Sequence, residues 1–242
     1  MNRFLQLLTL LFILGNSLCA TEKIHLTIRY LGLPVVRVKM IDNGKEIKVT
    51  AKATTIASIA ASMDNKYFST YSDDYLTERY RKIINQRGYH EDRITMYDRD
   101  GSVARRTSYI LPERDREYPI VKDSRDFFSA LFYLRKMINT QSKGVIWLDA
   151  NSLIWKAQFE IIGTENLKTK LGRMDAVKVK FTFQQISEEE KENSDMLTNN
   201  LVNEERALYF WLSNDERKIP LKAKFMMKPF SVTWKLENYT NE

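Results

Sequence analysis

From Thr21 to the end of the chain, apolar residues recur at every second position. Ile24, Leu26, Ile28 and Tyr30 alternate with His25, Thr27 and Arg29, and Val36, Val38 and Met40 alternate with Arg37 and Lys39. A period of two sends neighbouring side chains to opposite faces of an extended strand. The pattern therefore calls for antiparallel sheet with one face buried and one wet, and it argues against a helical body. Asp42-Asn43-Gly44-Lys45 is a hairpin signal, because Asn-Gly accepts the positive φ angles of a tight turn; Ile47, Val49, Ala51 and Ala53 follow it. Further runs occupy residues 67–71, 77–84 and 93–97, and the second half adds runs led by Trp155, Val177, Leu208, Leu221 and Phe230. Residues 102–122, with Pro112, Pro119 and mixed charge, read as irregular. The inventory is about ten to twelve strands, too many for one flat sheet, so the sheet curls into an open barrel or folds into a sandwich.

Two segments break the period. Residues 54–63 place Ile56, Ile59, Ala60 and Met63 on one helical face, with Thr54 or Thr55 as a cap. Residues 123–138 are the stronger helix: Asp123 or Ser124 caps it, Asp126 adds negative charge to the first turn, and Arg135 and Lys136 suit its end. Its apolar residues cover most of the circumference, so it is buried on most sides and is the natural plug for the concave face of the sheet. The expected architecture is mainly β: a strongly curled antiparallel sheet around one buried helix plus a short helix. Residues 187–205 hold seven acids and one lysine and read as a solvated or disordered loop within a single domain spanning residues 21–242.

Residues 1–20 read as a secretory signal, with Arg3 ahead of an apolar run over residues 4–14 that is too short to span a membrane. Cleavage after Ala20 is favoured over lipidation of Cys19, because Leu18 stands where lipid processing needs a small residue. The destination is periplasmic or otherwise exported. Removing the leader takes away Arg3 and no acid, so the net charge passes from +7 to +6. That is a mild excess, compatible with an anionic envelope surface but not with the dense basic stripe of a nucleic-acid binder.

Chemistry is scarce. One cysteine and two histidines, His25 and His90, leave little for metal sites or acid–base work, and no nucleophile elbow or glycine-rich phosphate loop is present. No catalytic, cofactor or metal residues are assigned, and a non-enzyme is expected. Asp73, Asp74, Asp98 and Asp100 are the carboxylates a hydrolase would need, but all stand at turn-like positions. Twelve Tyr, twelve Phe and four Trp either line a concavity for an apolar guest or simply fill a large core. Tyr67 and Tyr71 suit a rim, where the ring packs and the hydroxyl stays wet. Basic groups at Arg79, Arg81, Lys82 and Arg87, at Arg105, Arg106, Arg114 and Arg116, and along residues 206–235 form either a solvated face or a contact for anions. Tyr67, Tyr71, Arg79, Arg81, Trp155 and Arg135 are the candidate binding residues.

Five stretches carry a family resemblance: Tyr30-Leu31-Gly32-Leu33-Pro34-Val35; Ala51-Lys52-Ala53-Thr54-Thr55 leading to Ile59-Ala60; the run of residues 126–135 (DFFSALFYLR); residues 171–179 (LGRMDAVKV); and residues 208–213 (LYFWLS) followed by Ile219-Pro220-Leu221. In this order they resemble the bacterial family of domain of unknown function 3108. The resemblance implies an exported, β-rich envelope protein of Gram-negative bacteria with no established activity. A curled sheet over a helix is also similar in shape to the half-barrels of periplasmic lipoprotein carriers, although a fold does not fix a function. The leading expectation is a binding or scaffold protein that offers a hydrophobic concavity to a lipid or acylated partner. An envelope assembly protein without a small ligand and a carboxylate-dependent hydrolase are the alternatives.

Overall fold

The computed structural model describes residues 20–227 and 229–242. The expected leader and Cys19 lie outside the described residues, except for Ala20. Fourteen strands form a single antiparallel sheet. They are β1 (Glu22–Tyr30), β2 (Leu33–Asp42), β3 (Glu46–Ala53), β4 (Asp64–Ser72), β5 (Leu76–Gln86), β6 (Tyr89–Asp98), β7 (Val103–Ser108), β8 (Arg116–Pro119), β9 (Lys143–Asp149), β10 (Ile154–Thr169), β11 (Gly172–Gln185), β12 (Leu208–Ser213), β13 (Pro220–Met227) and β14 (Phe230–Asn241). Three short or medium helices join them: α1 (Thr55–Ser58), α2 (Phe127–Met137) and α3 (Met196–Asn199).

Strands adjacent in sequence pair with one another except β8 and β9, and β1 also pairs with β14, so the sheet runs from β8 back to β1, across to β14 and back to β9. It curls into an open barrel whose free edges are β8 and β9. The chain between these edges, not a ladder, spans the seam. Arg125 donates its N–H to Trp147 (2.9 Å) and accepts from Asp149 (2.8 Å). Tyr97 and Tyr118 donate their hydroxyls to the buried Asp149 carboxylate at 2.8 and 2.5 Å. Burial pushes the Asp149 carboxyl up, and these two phenols oppose the shift.

Eleven of the strands lie where the period-two reading places them, although the buried face of β6 carries Tyr89, Glu91, Arg93 and Thr95. Three were illegible, for opposite reasons. In β7, which lies in the stretch read as irregular, the inward residues are Ala104, Arg106 and Ser108, so no apolar alternation appears. The short β8 beside it is cut off by Pro119. In β9, Ile146 and Leu148 face inward while Val145 and Trp147 face outward, so the strand is apolar on both faces.

α2 fills the body of the barrel. Asp126 is its cap, rather than Asp123 or Ser124, and accepts from the N–H groups of Phe128 (2.8 Å) and Ser129 (3.3 Å). The sheet holds this cap in place, because Ser69 and Thr77 donate to the second Asp126 oxygen. At the other end the Arg135 guanidinium grips the Glu22 carboxylate and the carbonyls of Arg217 and Lys218. Below the helix only about 20 Å³ is empty, between Phe127, Leu131, Leu134 and the β9–β12 face. That is little more than one water, so α2 packs closely on this face.

The segment at residues 54–63 departs from expectation. The main-chain N–H of Ala53 bonds to the Met63 carbonyl at 2.9 Å, so the segment must return on itself within ten residues. A straight helix of that length would be ~15 Å long and could not close the loop. Only α1 forms, capped by Thr54, whose hydroxyl also donates to the Pro34 carbonyl. Ile56 and Ile59, expected on one face of a longer helix, are 74% and 85% exposed.

Candidate functional site

The connections β1–β2, β3–β4, β5–β6, β7–β8, β9–β10, β11–β12 and β13–β14 all lie at one end of the barrel. Here the inner face is not covered by α2. One sector of this end is an apolar mouth of about 460 Å³. Its walls come from the ends of β1, β2, β13 and β14, from α1 and from α3. Val35, Val36 and Ala57 form one side, Phe225, Val232 and Trp234 the floor, and Met196 and Leu197 the far wall. Leu33 is 61% exposed at the lip, and Phe230 packs edge-on against Tyr30 with ring centroids 5.9 Å apart. Six of the fourteen exposed large apolar residues among the described residues stand at this end: Leu31, Leu33, Ile56, Ile59, Met196 and Phe230. A contiguous apolar rim on an otherwise polar surface marks an interaction site.

The adjoining sector is closed by residues 187–205, which correct the expectation of a solvated loop. Ser194, Asp195, Leu197, Thr198, Leu201 and Val202 are buried. The loop enters because the inner faces of β5–β7 carry charge: Lys82, Glu91, Arg93 and Arg106 are all buried. Asp195, the cap of α3, meets Lys82 at 2.5 Å, and accepts from the Tyr67 hydroxyl at 2.7 Å and from Thr198 N–H at 2.8 Å. Lys82 also donates to Asn151, Ser194 and Thr198. Glu91 stands between Arg93 and Arg106, each at 3.3 Å, and Glu192 from the loop pairs with Arg106 at 2.8 Å. Two of the loop's seven acids, Asp195 and Glu192, are thus counter-ions of a basic barrel interior, while Glu188, Glu189, Glu190, Glu204 and Glu205 stay exposed. The basic groups read as a surface therefore divide: Lys82 and Arg106 are inside, while Arg81 pairs outside with Asp92 through two bonds of 3.0 and 2.8 Å.

Burial raises the Asp195 carboxyl, but the Lys82 ammonium and the bonds from Lys82 and Thr198 outweigh it and hold the group well below the ordinary range. A depressed folded-state value contributes stability above the unfolded value of ~3.9, and that contribution is lost as pH falls toward the folded value. The melting temperature is expected to hold through neutral and mildly acidic pH and to fall below about pH 4, which a thermal melt followed across pH will show.

The six candidate binding residues do not meet. Tyr67 is fully buried against Phe128 (5.1 Å between centroids) and bound to Asp195, so it is not a rim residue. Tyr71 is half-buried at the opposite end of β4 and donates to Asp42 at 2.5 Å. Arg79 lies half-buried on β5, opposite Thr70 and Met96. Arg81 is in its ion pair, Arg135 anchors α2, and Trp155 is buried with the Lys191 ammonium 5.8 Å from its ring. None of them lines the mouth. The carboxylates considered for hydrolysis sit at turns: Asp74 pairs with Lys136, and Asp98 accepts from the Gly101 N–H at 2.9 Å. Among the described residues no group of three or more metal-binding side chains gathers. The mouth residues were missed because apolar side chains beside Gly32 and Pro34 read as strand ends, and those of 56–59 as a helix face. The signal was there in the pairing of exposed-turn chemistry with Leu31, Leu33, Ile56 and Ile59.

One solved structure shares this fold. A β-barrel-like protein of domain of unknown function DUF1849 from Brucella abortus superposes with a TM-score of 0.56 at 8% identity, over 93% of this chain and 98% of that one. A protein with YmcC-like fold from Bacteroides fragilis matches with a TM-score of 0.35 at 12% identity, over 90% and 95% of the two chains. A search of curated proteins gives no match. Residues 24–235 match the family described as protein of unknown function (DUF3108), a span that takes in all fourteen strands at least in part and both sectors of this end of the barrel. The chain belongs to the DUF3108 family.

Proposed function

We propose that this protein is an exported cell-envelope protein that holds an acyl chain, of a lipid or an acylated partner, in the apolar mouth and performs no chemistry on it. The observation that carries the reading is the mouth itself: about 460 Å³, lined almost wholly by apolar side chains and open to solvent. This volume falls within the range of small-molecule sites, roughly 300–1,000 Å³. The void below α2, about 20 Å³, is far too small for an acyl chain. A guest therefore lies along the mouth between α1 and the β13–β14 turn rather than threading the barrel.

Native mass spectrometry of the protein with a medium-chain fatty acid tests the reading, with a one-to-one adduct as the expected result. Leu33→Asp combined with Ile56→Asp is expected to weaken this binding at least about tenfold, since each apolar side chain buried by a guest is worth ~1.5–3 kcal/mol. Both residues are more than half exposed, so folding stability is expected to change by less than ~0.5 kcal/mol. A parent protein that takes up no acyl chain, or a double variant that binds as well as the parent, rejects the proposal.

A further inference from the structure

The longest hairpin of the sheet folds over its outer face. Residues 172–175 of β11 pair only with β10, beyond the last contact of β11 with β12 at Ala176. From there the hairpin arches across β12, β13 and β14. Glu165 on its underside accepts from Trp211 Nε1 and from Lys178, both at 2.8 Å, and its tip at residues 167–170 reaches Lys222, Lys235 and Arg29. Two clefts lie beneath it, of about 370 and 480 Å³, and both include Lys222.

The strand register makes these clefts basic. Lys178, Trp211, Lys222 and Lys235 are successive partners across β11 to β14, and Lys180, Tyr209 and Lys224 form the next row. Lys222 sits 4.0 Å from the centre of the Trp211 ring, and Lys178 sits 5.0 Å from it on the neighbouring strand. Lys178 has Glu165, but among the described residues Lys222, Lys224 and Lys235 have no carboxylate within ion-pair distance. Like charges directly opposite on paired strands are destabilising, and Lys222 faces Lys235 in this way. Burial, with Lys224, Lys235 and Lys178 around it, pushes the Lys222 ammonium down despite Glu165. Such crowding is relieved by an anion seated between the lysines.

We propose that this lysine-lined groove binds a linear polyanion of the acidic-polysaccharide class, its negative groups seated between the β10–β11 hairpin and the outer face of β12–β14. The shape selects a single chain. Lys178, Lys222 and Lys224 are half-buried beneath the overhanging hairpin, where a flat bilayer cannot reach, and the shared Lys222 joins the two clefts into one run. Of the basic residues along 206–235, Lys222, Lys224 and Lys235 line this track.

The test is calorimetric titration of the protein with a size-defined oligogalacturonate at low and moderate salt, beside sedimentation with phosphatidylcholine vesicles with and without phosphatidylglycerol. Saturable binding of the oligomer that weakens as salt rises is expected. Lys222→Gln is expected to reduce affinity about tenfold, the worth of a charge-assisted bond. Its melting temperature should not fall, because a like-charge contact is removed. Lys66→Gln, the same charge change on the exposed outer face of β4, should bind as the parent does. The mouth variant should also bind the oligomer normally, so this result and that of the acyl-chain test stand apart. Absence of saturable binding overturns the proposal. So does equal weakening by Lys66→Gln, and so does capture by phosphatidylglycerol vesicles of a protein that ignores the oligomer.

Discussion

Asp195→Ala is expected to lower the stability of the protein by ~3–5 kcal/mol, because it leaves the Lys82 ammonium buried without its counter-ion. For a chain of this size that is a fall in melting temperature on the order of 10 °C. The loss has three sources in one side chain. Asp195 neutralises Lys82 at 2.5 Å, accepts from the fully buried Tyr67 hydroxyl, and caps α3. Once the carboxylate is gone, the loop of residues 187–205 has lost its deepest charged anchor, and Leu197, Leu201 and Val202 must hold it alone. Calorimetry or circular dichroism reads the shift. A second variant gives the mechanism. Lys82→Met combined with Asp195→Leu removes both charges, and should recover much of the loss, as replacing a buried pair with apolar residues often does. If the double variant is as unstable as Asp195→Ala, packing rather than charge accounts for the effect. The parent and Asp195→Ala are also expected to converge in acid, where the parent's carboxylate becomes protonated.

Phe128→Ala is expected to cost ~3–5 kcal/mol by a different route, the opening of a cavity in a body that has almost none. The ring is 1% exposed and packs against Tyr67 and Phe127, with centroids 5.1 and 5.6 Å away. It lies in the first turn of α2, directly after the Asp126 cap that the sheet holds through Ser69 and Thr77. The backbone there is fixed, so the surroundings can relax only a little to fill the space. Urea unfolding should show a lower midpoint with an unchanged slope. This effect should persist in acid, unlike that of Asp195→Ala. A cost below about 1 kcal/mol would mean that α2 can settle toward β4, and that the barrel is less tightly filled than its small void implies.

The curl of the sheet and the plug of α2 were legible because both rest on burial, and burial leaves a period. Ile24, Leu26 and Ile28 face in, as their spacing requires, and the circumference of α2 is buried as its composition requires. What escaped was every place where the inner face is charged. Arg106 on β7 and Lys82 on β5 look like surface residues in sequence, and an acidic loop looks like solvent. Each is ruinous inside a barrel alone, and they are acceptable there only together. Lys82 and Asp195, 113 positions apart, supply the two halves of that condition, so no local window contains it. The mouth was hidden for the converse reason. Ile56 and Ile59 have the spacing of a buried helix face, and only the closure of Ala53 onto Met63 turns them outward.

The pairing of β1 with β14 sets the order in which this molecule can be completed. Every strand can zip onto a partner made just before or just after it, with one break in the series between β8 and β9. The first strand finds its second neighbour only when the last has been delivered, some two hundred residues later in translation. Until that moment both ends of the growing sheet present bare hydrogen-bonding edges, the condition in which strands recruit other chains. A protein built this way gains from a holdase, or a slow release into its compartment, that keeps its opening strand unpaired until its closing strand arrives.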